Sequence, residues 1–391
     1  MIETLLVLGC LFLIGKSSVI IRNRINFKGL STFGKANQVD LSVAVCIPAR
    51  NEEKVIGTCI DSVLTQSYPN LHVYVLNDRS EDNTAEIIHS SKVRFGDNLT
   101  VLQGSDRPVD WLGKPWACHQ LGLVAKADIV VFLDADTWLE PDAISRIVRA
   151  METTHVDFVT VWPQQHTRSF WEKTIVPMVY YALLGFLPVK YSERKPRWMP
   201  TFFHNRFRSL FAAACGQCMA FRMEAYWAIG GHEAVKDKIV EDVSLARLIL
   251  QQGFRMRMYH GMQMIHCRMY RNQQELFSGF RKNFLAGFDN NIPLFLLMSV
   301  LHLIAYIFPI LVLVASICTP VSEITISIAL LNILIMISHR VLLARWFAWS
   351  SVFSFLHPVG VIWFQLLGIR VLIDYFTGSK VSWKGENVNL K

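Results

Sequence analysis

The chain has 391 residues, 52% of them hydrophobic and only 18% charged, with a net charge of +8 and a mean hydropathy of +0.30. A soluble globular protein carries about 25% charged residues, so part of this chain belongs in lipid, and collagen-like, disordered and small disulfide-stapled classes are excluded. The basic excess suits nucleic acid, anionic lipid or a phosphorylated substrate, and its distribution must decide among them. Eight cysteines occur without a zinc-type pair of pairs, which reads as a reduced compartment.

Thr4 to Ile21 holds one charge, Lys16, and, being slightly short of the roughly 20 apolar residues a span needs, predicts a marginal membrane anchor over residues 1–22. A cleaved signal peptide fits poorly, because the start lacks a basic region and no small-residue cleavage site follows. Arg22, Arg24, Lys28 and Lys35 come next, which places the central region in the cytosol. Residues 40 to about 162 then alternate strands and helices. Leu41 to Ile47 is an apolar, β-branched run stopped by Pro48, and a helix is expected from Glu53 to Gln66. A strand (Val73 to Leu76), a helix from the Asp82-Asn83-Thr84 cap and a strand (Leu99 to Leu102) follow. A helix from Pro115 leads to Ile129 to Leu133, a fully apolar strand. Continuous apolar strands between helices mark an α/β, Rossmann-like, mostly parallel sheet covered on both faces.

In such sheets ligands bind at the carboxyl ends of the strands. Here those ends read Pro48-Ala49-Arg50-Asn51-Glu52-Glu53, Asn77-Asp78-Arg79-Ser80 and Asp134-Ala135-Asp136. Each alone could be a helix cap; three on one edge point to a site. Two carboxylates one residue apart can face one cleft, and hard oxygen donors with open positions suit Mg²⁺ or Mn²⁺ on a diphosphate.

Further on, Thr174 to Val189 is uncharged but short for a span, with Pro177 and Pro188 near its ends. Residues 190–208 carry six lysines and arginines against Glu193, interleaved with Tyr191, Trp198, Phe202, Phe203 and Phe207. Together, residues of about 170–208 are expected to form an interfacial insert lying on the cytoplasmic leaflet. Cys215-Gly216-Gln217-Cys218 has redox spacing, but its small neighbours Ala212, Ala213 and Ala214 suggest a tightly packed strand instead. Glu241-Asp242 opens a helix expected from Val243 to Gln252, where acidic residues favour the N-terminus.

From Asn290 to Ser322 no Asp, Glu, Lys or Arg occurs. Ile324 to Ala344 is broken only by His339 and Arg340, and Trp346 to Ile369 is uncharged. Residues 290–370 are thus expected to hold about three membrane segments, followed by a tail over 371–391. The positive-inside bias puts Arg340 and Arg345 in the cytosol. It agrees for the last segment only if His357-Pro358 breaks it into a re-entrant hairpin.

These motifs together resemble a family 2, GT-A fold, inverting glycosyltransferase over residues 40–285. The quoted strand ends carry the resemblance, with Gly113-Lys114-Pro115-Trp116-Ala117, Gly230-Gly231-His232, Val240-Glu241-Asp242 and Arg268-Met269-Tyr270-Arg271. The membrane-anchored branch acting on carotenoid, hopanoid or sphingolipid acceptors is most similar. The tail Val381-Ser382-Trp383-Lys384-Gly385 resembles bacterial carotenoid-acid glycosyltransferases, although Glu386 stands where arginine is usual. The resemblance implies a nucleotide-sugar site at Ala49, Asn51, Glu52, Asp78, Lys114, Asp134, Arg268 and Arg271, and metal contacts from Asp134 and Asp136. It implies Asp242 as general base and Gln217, His232 and Glu241 on the acceptor side. Asn272 replaces the tryptophan of the related (Q/R)xxRW element, which argues against a polymer-translocating synthase.

The expected protein is thus a multi-pass cell-membrane enzyme with a cytosolic catalytic domain. It would move one sugar, by family default glucose from UDP-glucose, to a lipid, with Mg²⁺ or Mn²⁺ and without nucleic acid. A polyprenyl-phosphate sugar transferase, or a non-catalytic membrane scaffold of the same fold, is the alternative.

Overall fold

The computed structural model describes residues 1–36, 40–379, 381–383 and 386–388. In chain order, α1 (Ile2–Asn26) is followed by β1 (Val43–Ala49), α2 (Ile56–Leu64), β2 (Leu71–Asn77), α3 (Thr84–Phe95) and β3 (Leu99–Gln103). Next come α4 (Gly113–Val124), β4 (Ile129–Leu133), β5 (Thr137–Leu139), α5 (Ala143–Thr154) and β6 (Phe158–Gln165). α6 (Phe170–Phe186) and the short α7 (Lys190–Glu193) and α8 (Thr201–Phe207) precede β7 (Cys218–Arg222), α9 (Met223–Ala228), α10 (Glu241–Gln251) and β8 (Met256–Cys267). The C-terminal part holds α11 (Gln273–Asn283), α12 (Ile292–His302), α13 (Phe308–Ala315), α14 (Glu323–Trp346), α15 (His357–Thr377), β9 (Val381–Trp383) and β10 (Glu386–Val388). The chain divides into two units: Asn26–His166 with Val189–Met269, and Met1–Ile25 with Thr167–Pro188 and Tyr270–Lys391.

The first unit is built on an eight-stranded sheet of order β3-β2-β1-β4-β7-β6-β8-β5. β1 pairs in parallel with β2 and β4, β2 with β3, and β6 with β8, while β7 and β5 run antiparallel to their neighbours. It is therefore an α/β unit with a mixed, mostly parallel sheet. β4 is buried throughout and β1 nearly so, because helices cover both faces. Val45, Ile47, Val73, Val75, Val131 and Leu133 join Ile56, Ile60, Ile144 and Ile147 in one core.

Three boundaries differ from the sequence expectation, each for a local reason. Pro48 lies within β1 and does not end it. The pairing of β1 with β4 stops at Cys46, so the missing N–H of Pro48 removes no bond from that ladder. α2 begins at Ile56 and not Glu53, because the backbone N–H groups of Glu52 and Glu53 donate to Thr84 Oγ1 (2.7 Å) and Asp82 Oδ2 (3.1 Å). The segment Ala212 to Gln217 is a buried irregular stretch and not a strand, closed by a turn in which Cys218 N donates to Cys215 O at 3.2 Å. All eight cysteines are free.

The second unit contains four helical stretches long and apolar enough to cross a membrane among the described residues: Ile2–Asn26, Ile292–Ala315, Glu323–Trp346 and Ser351–Thr377. α1 is more than a marginal anchor, for it runs alongside α14 in register. Glu3 Oε1 accepts from Ser322 (3.0 Å) and Thr325 (2.8 Å), Asn332 Nδ2 donates to Leu6 O (2.9 Å), and Ser17 meets His339 at 2.7 Å. Arg24 then stacks on Trp346. Lys16 and Arg340 are buried in this unit, so Arg340 is not the loop-facing flank expected of it. α6 is also buried there, through Ile175, Val176, Tyr181 and Leu184, and tolerates Pro177 in its interior. The expected insert is therefore divided: its basic, aromatic part from Val189 onward belongs to the sheet unit.

No re-entrant hairpin forms at His357-Pro358. Pro358 sits in the first turn of α15, where a missing N–H is tolerated, and the helix continues unbroken to Thr377. Arg281 and Arg370 hold the buried Asp374 near its end. In the tail, β9 and β10 pair antiparallel, while Lys384 and Gly385 of the quoted tail motif lie outside the described residues.

Candidate active site

The sheet order reverses between β1 and β4, and crevices form at such switch points beyond the carboxyl ends of the strands. Parallel β1, β2, β3 and β4 deliver Ala49, Asn77, Gln103 and Leu133 to one edge. β7 runs the other way, with Cys218 opposite Leu133, and so brings the 215–218 turn to the same edge. Gln165 and Cys267 end β6 and β8 there as well.

On the β1–β2 side, Asp78 is 4% exposed and its N–H donates to Ala49 O at 2.8 Å. Arg79 Nε lies 3.3 Å from Asp78 Oδ1, and Arg50 Nη1 3.8 Å from Oδ2. Gly104 makes room for it, since a Cβ there would come within 3.1 Å of Asp78 Oδ1. Asn51 adopts φ +52°; its N–H donates to Ser80 Oγ (3.1 Å), and its Oδ1 accepts from Glu81 N (2.8 Å). Together with the Glu52–Thr84 bond, these contacts tie the loop after β1 to the loop after β2.

The charged centre is assembled by Lys114 near the start of α4. Its Nζ lies 2.8 Å from Asp134 Oδ1 and 2.9 Å from Glu241 Oε1, bridging the end of β4 to the start of α10. Burial lowers the ammonium pKa, but the carboxylates of Asp134 and Glu241 outweigh it and hold Lys114 well above the usual range. Burial raises the Asp134 carboxyl, and Lys114 pulls it back only in part.

Beside this bridge, Asp242 Oδ2 accepts from Gly216 N and Oδ1 from Val243 N, both at 2.8 Å. Burial, reinforced by the neighbouring Glu241, pushes Asp242 up to about 6. A carboxylate with that pKa, fixed by two N–H donors, is suited to accept a proton near neutrality. Gly216 leaves the end of Lys114 its place, for a Cβ would stand 2.9 Å from Lys114 Nζ and 3.4 Å from Asp242 Oδ2.

Asp134 and Asp136 flank Ala135, whose side chain is in the core, so the two partly exposed carboxylates leave the strand end together. Among the described residues, no three His, Cys, Asp or Glu side chains form a metal cage. Two hard carboxylates fit a Mg²⁺ or Mn²⁺ ion that takes its remaining ligands from diphosphate and water.

The remaining expected residues fall as follows. Gln217 is buried, accepts from Gln165 Nε2 (2.7 Å) and donates to Cys267 Sγ (2.8 Å), so its side chain braces three strand ends. Burial and the nearby Asp136 raise the Cys267 thiol well above its normal range. His232 is 0% exposed, packs edge-on to Phe132 and bonds Tyr226 OH through Nδ1 at 2.9 Å, so its ring has no surface open to an acceptor. Arg268 and Arg271 lie in an irregular stretch and not on a helix, with Arg268 in the sheet unit and Arg271 in the other. Their spacing therefore does not set a shared face. Asn272 caps α11, its Oδ1 accepting from Glu275 N at 2.9 Å, so this position has a structural role of its own. Sequence reasoning missed Gly104, Gln165, Gly216 and Cys267; only the position of Gly216 beside Gln217 offered a signal.

Residues 40–285 match the family described as "Glycosyltransferase like family 2", and residues 206–391 match "Glycosyl transferase family 21". The 4,4'-diaponeurosporenoate glycosyltransferase of Staphylococcus aureus strain USA300 is 26% identical over 360 residues, covering 89% of this chain and 88% of its own. A mannosyltransferase from Pyrobaculum calidifontis, solved with GDP-Man and Mn²⁺, has the same fold at 17% identity, with a TM-score of 0.58 over 96% of this chain and 99% of that one. Motifs, sheet order and matched span agree: this chain belongs to glycosyltransferase-like family 2, as a GT-A domain joined to membrane-spanning helices.

Proposed function

We propose that the protein transfers a single glucose from UDP-glucose to a membrane lipid, with inversion, and that the acceptor is a carotenoid acid or a related lipid alcohol. The observation that carries this reading is Asp242, a carboxylate held by Gly216 and Val243 beside the Lys114 bridge. The name of the Staphylococcus aureus relative, which acts on a carotenoid acid, supports the acceptor class.

In this reading Asp78 and the backbone at Ala49 receive the nucleoside, with Asn51 and Glu52 shaping that wall. Lys114 and Arg268 face the diphosphate. Asp134 and Asp136 would hold a divalent ion, which neutralises charge on the departing diphosphate when bound. The acceptor oxygen attacks the anomeric carbon opposite the leaving group, the bond to the diphosphate breaks, and UDP departs. An alcohol acceptor gives its proton to Asp242, whereas an ionised carboxylate has none to give. Glu241 orients Lys114, and Gln217 and His232 support the acceptor side from behind. The basic flank after α1 supports a cytosolic catalytic unit in this reading.

The same site could serve a polyprenyl phosphate, so the deciding measurement compares acceptors. Purified protein with UDP-glucose should glucosylate a carotenoid acid, and the glycolipid should appear by mass spectrometry only in cells carrying the chain. Transfer to polyprenyl phosphate alone would replace the acceptor assignment. No loss of any sugar nucleotide would support the non-catalytic scaffold.

A further inference from the structure

The membrane unit holds a second concentration of charge that sugar transfer does not use. Lys16 and Arg340 are each 3% exposed and His357 is 1% exposed. Lys16 Nζ, Arg340 Nε and Nη1, and both ring nitrogens of His357 have no hydrogen-bond partner. Lys16, Arg340, His302 and His339 all act electrostatically on His357, so the five groups form one cluster. Among the described residues no carboxylate pairs with Lys16 or Arg340. Glu3 is engaged at the opposite end of α1, and Asp374 is held by Arg281 and Arg370.

The surroundings are built for these cations. Lys16 Nζ lies 3.8 Å from the Tyr181 ring centre and 4.2 Å from that of Phe186. Gly185 clears its path, since a Cβ there would fall 2.4 Å from Lys16 Cε. Tyr181 OH meets Tyr306 OH at 2.8 Å and His339 Nδ1 at 3.3 Å, and the Tyr306 ring stands edge-on to His357 at 4.6 Å. Tyr306 is delivered by a π-helical turn, Leu303–Ile307, between α12 and α13. Such turns recur at functional sites because the wider helix re-aims a side chain.

Depth gives the cluster its chemistry. Lys16 precedes Arg22 by six residues and Arg340 precedes Arg345 by five, about 9 and 7.5 Å along their helices. α1 and α14 run in register, so both cations lie just beneath the same basic-flanked end. Unpaired cations in lipid are costly and mark binding sites, and basic sites between helices at this level receive anionic head groups. We propose that Lys16, Arg340 and His357, with the Tyr181–Tyr306 hydroxyl pair, bind one anionic lipid group, a carboxylate or a phosphate. This inference does not depend on the sugar-transfer reading.

The test uses the full chain in neutral detergent, titrated with the fluorescent fatty acid cis-parinaric acid. The expected result is one saturable site from which oleate, but not oleyl alcohol, displaces the probe. Lys16→Met and Arg340→Gln should each weaken binding by about tenfold or more, while the exposed-site control Lys54→Gln should not. Displacement by oleate alone assigns a carboxylate, and displacement by phosphatidylglycerol as well assigns a phosphate-bearing head group. Absence of saturable binding, equal displacement by the alcohol, or unchanged affinity in both folded variants would overturn the proposal. Should the variants fail to fold, the ranking of oleate against oleyl alcohol on the unaltered chain decides.

Discussion

Replacing Asp242 by Asn removes the carboxylate that Gly216 and the start of α10 jointly orient, and it tests the kind of acceptor as well as the base. With a pKa of about 6, Asp242 is about nine-tenths ionised at pH 7 and about one-tenth at pH 5. With an alcohol acceptor, the unaltered enzyme should therefore slow by about tenfold between pH 7 and pH 5, and the Asn variant should lose about 10²–10⁴-fold at pH 7. With a lipid carboxylate, already ionised above about pH 5, both losses should be small. The structure adds a control. Asp242 accepts from Gly216 N and Val243 N at 2.8 Å each, whereas an Asn side chain can accept from only one and faces the other with an N–H. That mismatch costs about 1–3 kcal/mol locally, so binding of UDP-glucose must be measured beside turnover. The assay is radiolabelled sugar transfer to a lipid alcohol and to a lipid acid across pH 5 to 8. A loss of less than about threefold on the alcohol, with donor binding intact, would refute Asp242 as the base.

Asp136→Asn should leave the protein folded and membrane-bound yet lower turnover by at least about a hundredfold, through loss of metal-stabilised charge; chelator-insensitive, normal turnover would remove the metal role. Gly216→Ala places a Cβ 2.9 Å from Lys114 Nζ. Its flexible end must shift, so kcat/KM should fall by about tenfold to a hundredfold with little change in Tm. Burial holds His232 neutral, with its pKa lowered to about 3. The unfolded chain gains a proton below about 6.5 that the folded chain refuses, so stability is lost as pH falls from 6.5 towards 3, by up to about 1.4 kcal/mol per unit. His232→Asn should flatten the decline in Tm between pH 7 and pH 5, and an unaltered decline would contradict the assignment. In the 189–208 stretch, Trp198 is 69% and Phe202 75% exposed among basic residues. If this stretch docks on anionic lipid at about 1 kcal/mol per cation, neutralising Arg194, Lys195 and Arg197 should slow transfer to an embedded acceptor by about a hundredfold. Transfer to a short soluble acceptor should hardly change, and equal loss on both would mean that the stretch only supports the fold.

The sequence by itself determined the division into membrane and catalytic parts, because uncharged windows and continuous apolar strands are set by burial alone. It also placed Asp78, Asp134 and Asp136, since a polar cluster after a buried strand can only sit at the sheet edge. Tertiary structure decided the rest. The bridge from Lys114 reaches Asp134, 20 positions on, and Glu241, 127 positions on, and no local pattern records the second separation. The antiparallel direction of β7 is what brings Gly216 to Asp242, and strand direction follows from topology, not composition. His232 illustrates the converse: its Gly-Gly-His setting suggested an acceptor contact, while packing against Phe132 and Tyr226 buried it. Lys16 looked like a blemish in a weak anchor. Only the register of α1 with α14 and the space left by Gly185 reveal it as part of a buried cationic cluster, because a helix records its own spacing but not its neighbours.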